Sequence, residues 1–197
     1  MDKTDSATRQ KILDAALTQF AHRGYSGASV QAIVDAAKVT KPTLYYYFEN
    51  KAVLYQSLVN SAHDERYRLM REAAEKGKTL KEKLVEILDA LFSFFKSHRA
   101  LMRLAFATAF ASPGEIPPKM DYRRKPQRNF DFIQAMIKKE LDAGRLNPRF
   151  TSKELAFGIH GLLNIYVMAY LVLPNAKLNR KTAEAIVDLF LTGAAKK

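Results

Sequence analysis

Between Ser29 and Phe48 the chain reads SVQAIVDAAKVTKPTLYYYF, and this stretch limits the possible folds more than any other. Val30, Ile33, Val34 and Ala37 fall on one face of a short helix, and Leu44 and Phe48, four residues apart, on one face of another. Only Lys38 and Val39 separate them before Thr40 can cap again, and Pro42 sits in the first turn, where its missing N–H does no harm. A preceding helix is read from Ile12, Ala16 and Phe20, with Leu13 and Leu17 beside them; Asp5 or Ser6 can cap it and Gly24 ends it.

The rest of the chain keeps the helical period. Asn50 can cap a long fourth helix through Leu54, Leu58 and Ala62 toward Met70. Thr79-Leu80-Lys81-Glu82 is a capping-box pattern opening a helix with Leu84, Ile87, Leu88, Leu91 and Phe95 on one stripe. Further helices are predicted over Leu101 to Ala111 and at about 127–143, 151–173 and 179–194. No segment alternates with period two. The expected fold class is therefore all-α: an N-terminal three-helix helix-turn-helix domain over residues 1–50 and a C-terminal helical domain over 51–197.

Two short helices across a tight turn are the trace of a helix-turn-helix, whose second helix reads DNA. With Leu44 and Phe48 inward, Tyr45 and Tyr47 lie off the buried face and Tyr46 nearly opposite to it. Together with Lys41 and Thr43 these make a surface of hydroxyls, one ammonium and aromatic edges, suited to phosphates and bases. Tyr45 is the tyrosine expected to share in packing. Charge alone would not have pointed here. The net charge of +12 implies an anionic partner, but residues 1–60 hold seven Lys/Arg against five Asp/Glu, so most of the excess lies beyond them.

The stretch GYSGASVQAIVDAAKVTKPTLYYYFENKAVLY resembles the DNA-binding signature of the tetracycline-repressor (TetR) family, over about residues 8–60. The resemblance implies a homodimer on a pseudo-palindromic double-stranded DNA operator, and a C-terminal domain that binds a small effector and dimerises. It further implies phosphate contacts from Ser29 and Thr40, base contacts from Gln31, Lys41, Pro42 and Thr43, and backbone clamping by Tyr45, Tyr46, Tyr47 and Lys51. The turn often carries Gly where this chain has Lys38; a positive φ there would cost a lysine about 1 kcal/mol.

Leu155 to Pro174 is apolar enough to be weighed as a membrane span. Gly158, His160, Gly161 and Asn164 within it favour a packed dimer seam instead. The interface is expected to use Ala156, Gly158 and Gly161 with Ala183, Ile186, Val187, Phe190 and Leu191. An effector pocket is expected along Met102, Phe106 and Phe110, closed by Phe94, Tyr122, Phe130, Phe157, His160, Asn164 and Tyr166. Arg99 or Arg103 would meet any acidic group on a small, largely apolar effector.

Composition narrows the remaining chemistry. The chain has no cysteine, which excludes thiol chemistry and fits the cytoplasm. The opening MDKTDSATRQ lacks the pattern of a signal peptide. His22, His63, His98 and His160 have no partners at metal-ligand spacing, so no metal is expected. No catalytic motif stands out, so neither an enzyme nor a cofactor is expected. The reading is a DNA-binding transcriptional regulator, a repressor released by a small molecule. A regulator governed by a protein partner and a membrane-associated helical protein are the alternatives.

Overall fold

A computed structural model describes residues 3–112, 114–118, 120–121, 123–173 and 175–194, and the regular structure among them is entirely helical. The helices are α1 (Lys3–Gly27), α2 (Val30–Ala37), α3 (Lys41–Tyr47), α4 (Lys51–Ala74), α5 (Leu80–Ser97), α6 (Arg99–Ala109), α7 (Arg124–Asp142), α8 (Ser152–Val172) and α9 (Arg180–Ala194). Side chains with a free oxygen start most of them, satisfying N–H groups that have no partner inside the helix. Thr79 and Glu82 form the expected capping box, and Thr151 and Glu154 form a second one at α8. Asn50 accepts from Val53 N at 2.9 Å to open α4. Helix α1 kinks at Gly24 (φ 68°, ψ 180°) and continues to Gly27, instead of ending at Gly24 as expected.

The chain forms two compact units. The first comprises residues 1–62 and 99–122, the second 63–98 and 123–197. This division departs from a boundary at residue 50: the first half of α4 belongs with the helix-turn-helix, and so does α6, which packs on α1. In the first unit Ile12, Ala16, Phe20, Ile33, Leu44, Phe48 and Leu54 build the core. Phe20, Tyr25 and Tyr55 meet edge-on or tilted at 5.0–6.2 Å, and the Tyr55 hydroxyl shares a 2.8 Å hydrogen bond with Thr108 of α6.

In the second unit α5 packs on α9, α8 on α7 and α9, and α5 also touches α7 and α8. Its core is Leu84, Ile87, Leu88, Phe92, Ile137, Ala156, Val167 and Ile186. Gly77 has a steric reason: a Cβ there would fall 2.5 Å from the Lys83 backbone nitrogen. The charged start of α7 is fastened to α4 within this unit. Lys125 and Arg128 pair with Asp64, and Asn129 donates to the His63 carbonyl at 3.0 Å.

Candidate functional site

Helix α2 opens at Ser29, whose Oγ accepts from Ala32 N at 3.1 Å, and buries Ile33, Val34 and Ala37. Gln31 stands exposed, donating to Asp35 at 2.8 Å along the same helix. The chain then reverses at Lys38, the one non-glycine residue with positive φ among those described (φ 55°, ψ 47°). Val39 N closes back onto Val34 O at 3.0 Å, the usual way a left-handed residue ends a helix. The positive φ weighed from the sequence is therefore present, and a lysine occupies it.

Helix α3 is held from beneath. Leu44 is fully buried and Phe48 nearly so, with the Arg9 guanidinium 5.1 Å from the Phe48 ring centroid. Thr40 Oγ1 accepts from Thr43 N at 3.3 Å, and the two hydroxyls share a 2.8 Å hydrogen bond. What remains outward is Lys41, Pro42, Tyr45 and Tyr46, with Thr43 half-buried. Tyr46 is 78% exposed and Tyr45 46%.

Two of the residues expected to clamp DNA also hold the fold together. Lys51 Nζ donates to Tyr25 O at 2.8 Å and Ala28 O at 3.0 Å and lies 4.5 Å from the Tyr25 ring centroid. Burial holds its ammonium below the ordinary lysine range. It pins the end of α1 to the start of α4. Tyr47, not Tyr45, is the tyrosine tied into the structure: its hydroxyl donates to Asp5 at 2.5 Å, a bond that raises its pKa. Spacing alone could not show this, because Asp5 lies 42 residues earlier.

The sequence model of the bacterial regulatory proteins of the tetR family matches residues 12–58, from α1 into α4. The HTH-type transcriptional regulator AcrR of Shigella flexneri is 26% identical over 194 residues, covering 93% of this chain and 87% of that one. A TetR family transcription regulator from Marinobacter aquaeolei VT8 superposes with a TM-score of 0.79 at 20% identity, over the full length of both chains. FadR from Bacillus subtilis, solved in complex with stearoyl-CoA, gives 0.74 at 21% identity, over 93% of this chain and 98% of that one.

Residues 12–58 carry the tetR-family sequence, and the chain as a whole shares the fold of solved TetR regulators.

The second unit contains a cavity of about 10 Å³, enough for one water molecule. Its walls are Met70, Leu84, Ile87, Leu88, Leu91, Ile133, Ile159 and Leu163, with Arg66 and His160 as the polar members. Of the residues expected to enclose an effector, His160 alone lines it. Met102 is buried in the core of the first unit, Phe106 is half-buried there, and Phe110 is 80% exposed. Arg99 and Arg103 are exposed in that same unit. Helix α6 packs on α1 within the first unit. Phe94 meets Phe95 and His98 in tilted ring contacts, while Phe130 contacts Phe157 and His160. Asn164 and Tyr166 are half-buried outside the lining, and Tyr122 lies outside the described residues.

His160 Nδ1 lies 3.0 Å from Ala156 O and donates to it, so His160 bonds the preceding turn and not Asn164. Burial lowers its pKa to about 4. His63, nearly buried, is likewise lowered to about 4 by burial and by the Arg66 and Arg128 charges.

Helix α8 is long and apolar enough to cross a membrane, yet one of its stripes is core: Leu155, Ala156, Ile159, Leu163 and Val167 are buried. Ala156, Ala183, Ile186, Val187 and Phe190, expected at a dimer seam, are buried within their own protomer, where α8 and α9 pack on the second unit's core. The open face is the other one. Phe157, Ile165, Met168 and Val172 are exposed along α8 with Gly158 and Gly161 between them, and Leu189 is exposed on α9 beside a half-buried Leu191.

Proposed function

We propose that the chain is a sequence-specific DNA-binding regulator, a repressor that leaves its operator when a small apolar effector enters the second unit. The observation that carries the DNA reading is the outward face of α3, where Lys41, Pro42, Tyr45 and Tyr46 stand free on a helix anchored by Leu44 and Phe48. Ser29 keeps a hydroxyl hydrogen to donate to a phosphate, the Thr40–Thr43 pair keeps one between them, and Gln31 reaches out from α2. Two copies pair through the exposed stripe of α8 and the adjoining face of α9, so that two α3 helices meet successive major grooves about 34 Å apart. DNA as the partner places the protein in the cytoplasm.

Helix α4 links effector to operator. Its first half, through Ala62, belongs to the unit that carries α3, and Arg66 and Met70 on its second half line the cavity. An effector that wedges the cavity open displaces that second half, and α4 carries the movement along its own length. FadR with stearoyl-CoA supports an effector with an acyl-like apolar body. The small cavity favours a second reading, a regulator controlled by a protein partner that needs no room inside.

The test is DNA selection from genomic fragments followed by anisotropy titration. Tyr46→Ala should weaken binding at least tenfold with the melting temperature unchanged, whereas Leu44→Ala should cost about 2–5 kcal/mol of stability. Equal binding by wild type and Tyr46→Ala would remove α3 as the reading helix. A library of apolar compounds, none of which alters DNA affinity, would favour the protein-partner reading.

A further inference from the structure

Arg66 stands where an apolar residue belongs. Leu54, Leu58, Ala62, Arg66 and Met70 follow one another at four-residue steps along α4, and the other four are buried. The Arg66 Nε is shut off from solvent and makes no hydrogen bond. The guanidinium lies 5.5 Å from the centroid of the Phe95 ring. No carboxylate among the described residues pairs with it, although arginines elsewhere in the same unit have theirs: Arg68 with Glu65 and Glu72, Arg128 with Asp64, Arg145 with Glu140, Arg180 with Glu86. A cation held against aliphatic walls without a counter-charge is costly. The cost shows in its acidity, which burial pulls to about 10, leaving it charged at neutral pH.

We propose that Arg66 is the anchor for a carboxylate, and that the effector is an apolar monocarboxylic acid whose body takes the place of the cavity's aliphatic contacts. This deepens the effector reading above and rests on it. A guanidinium offers parallel N–H groups that match the two oxygens of a carboxylate. The lining adds no second cation, because the other polar member, His160, is neutral at pH 7 and gives its Nδ1–H to Ala156. One fixed charge in an apolar wall selects one negative charge on an apolar body and does not suit a polyphosphate head. The ligand must spread the walls to enter, and Met70, unbranched and flexible, is the lining residue that yields most readily. Arg99 and Arg103 take no part.

The experiment is calorimetric titration of the full chain with decanoate, decan-1-ol and decanoyl-CoA, on wild type, Arg66→Met and Arg66→Lys, with melting temperatures of the ligand-free proteins. Wild type should bind decanoate at least tenfold more tightly than decan-1-ol. Arg66→Met should lose that preference while keeping affinity for decan-1-ol, and should melt no lower than wild type, because it removes an unpaired charge. Arg66→Lys should retain part of the preference. Equal affinities for acid and alcohol in wild type, no binding of decanoate up to its solubility, or a preference that survives in Arg66→Met would each overturn the assignment. DNA release separates this from the parent reading. Decanoate bound through Arg66 with the DNA complex intact supports the anchor and defeats effector control. Release by decanoyl-CoA or decan-1-ol in wild type and Arg66→Met alike defeats the anchor and keeps effector control.

Discussion

At the scale of single residues, Lys38 and Lys51 show how similar side chains are set to different tasks by backbone and burial. Lys38 holds a left-handed conformation that costs an L-residue about 1–2 kcal/mol, part of which glycine would give back in unfolded-chain entropy. Lys38→Gly should therefore raise stability by up to about 1 kcal/mol in denaturant titration; a loss would mean that the lysine side chain contributes to the turn. Lys51 is fixed by two carbonyls and a ring. Lys51→Ala leaves the Tyr25 and Ala28 carbonyls without their donor, and a drop of about 1–3 kcal/mol is expected. A neutral result would return Lys51 to the role of a DNA clamp.

At the scale of elements, the open stripe on α8 belongs to a helix whose opposite stripe is core, so charge on the two sides should act differently. No atom lies within 4 Å of a Cβ placed at Gly161. Gly161→Glu should leave the protomer folded, by circular dichroism, while sedimentation shows monomer; a dimer that persists would move the interface off α8. The helices themselves were legible from period and caps: the Thr79 box, the Pro42 turn and the Leu44–Phe48 stripe all follow from local spacing. The second capping box lay equally open in Thr151-Ser152-Lys153-Glu154. Partners were not legible. An apolar stripe on α6 says that something covers it, not that the cover is α1. Arg66 did leave a trace, a charge at the fourth place of a Leu-Leu-Ala-x-Met stripe, but long charged side chains often reach past such a stripe to solvent.

At the scale of the whole molecule, acid should unfold the protein earlier than its carboxylates alone would dictate. His63 and His160 both titrate near 4 when folded, against about 6.5 in an unfolded chain. Between these values the unfolded state binds more protons, so stability is complete above about pH 6.5 and falls as pH drops toward 4. By pH 5 the loss is up to about 2 kcal/mol for each histidine. Urea titrations at pH 7.5 and 5.0 measure it, and equal midpoints would mean that neither ring is buried neutral. The withdrawal of Lys51 into the fold bears on a different problem, that of finding one site among a genome's roughly 10⁶–10⁹ competitors. Random sequence holds a protein chiefly through its cations, each of which frees counterions from the duplex. With Lys51 engaged elsewhere, the turn and α3 keep Lys38 and Lys41, four lysines in a dimer. The logarithm of affinity should then fall against that of salt with a slope of only about −4, unchanged in Lys51→Ala. A reader built this way is held loosely by indifferent DNA, so few of its copies are lost there and a small cellular supply keeps its target occupied.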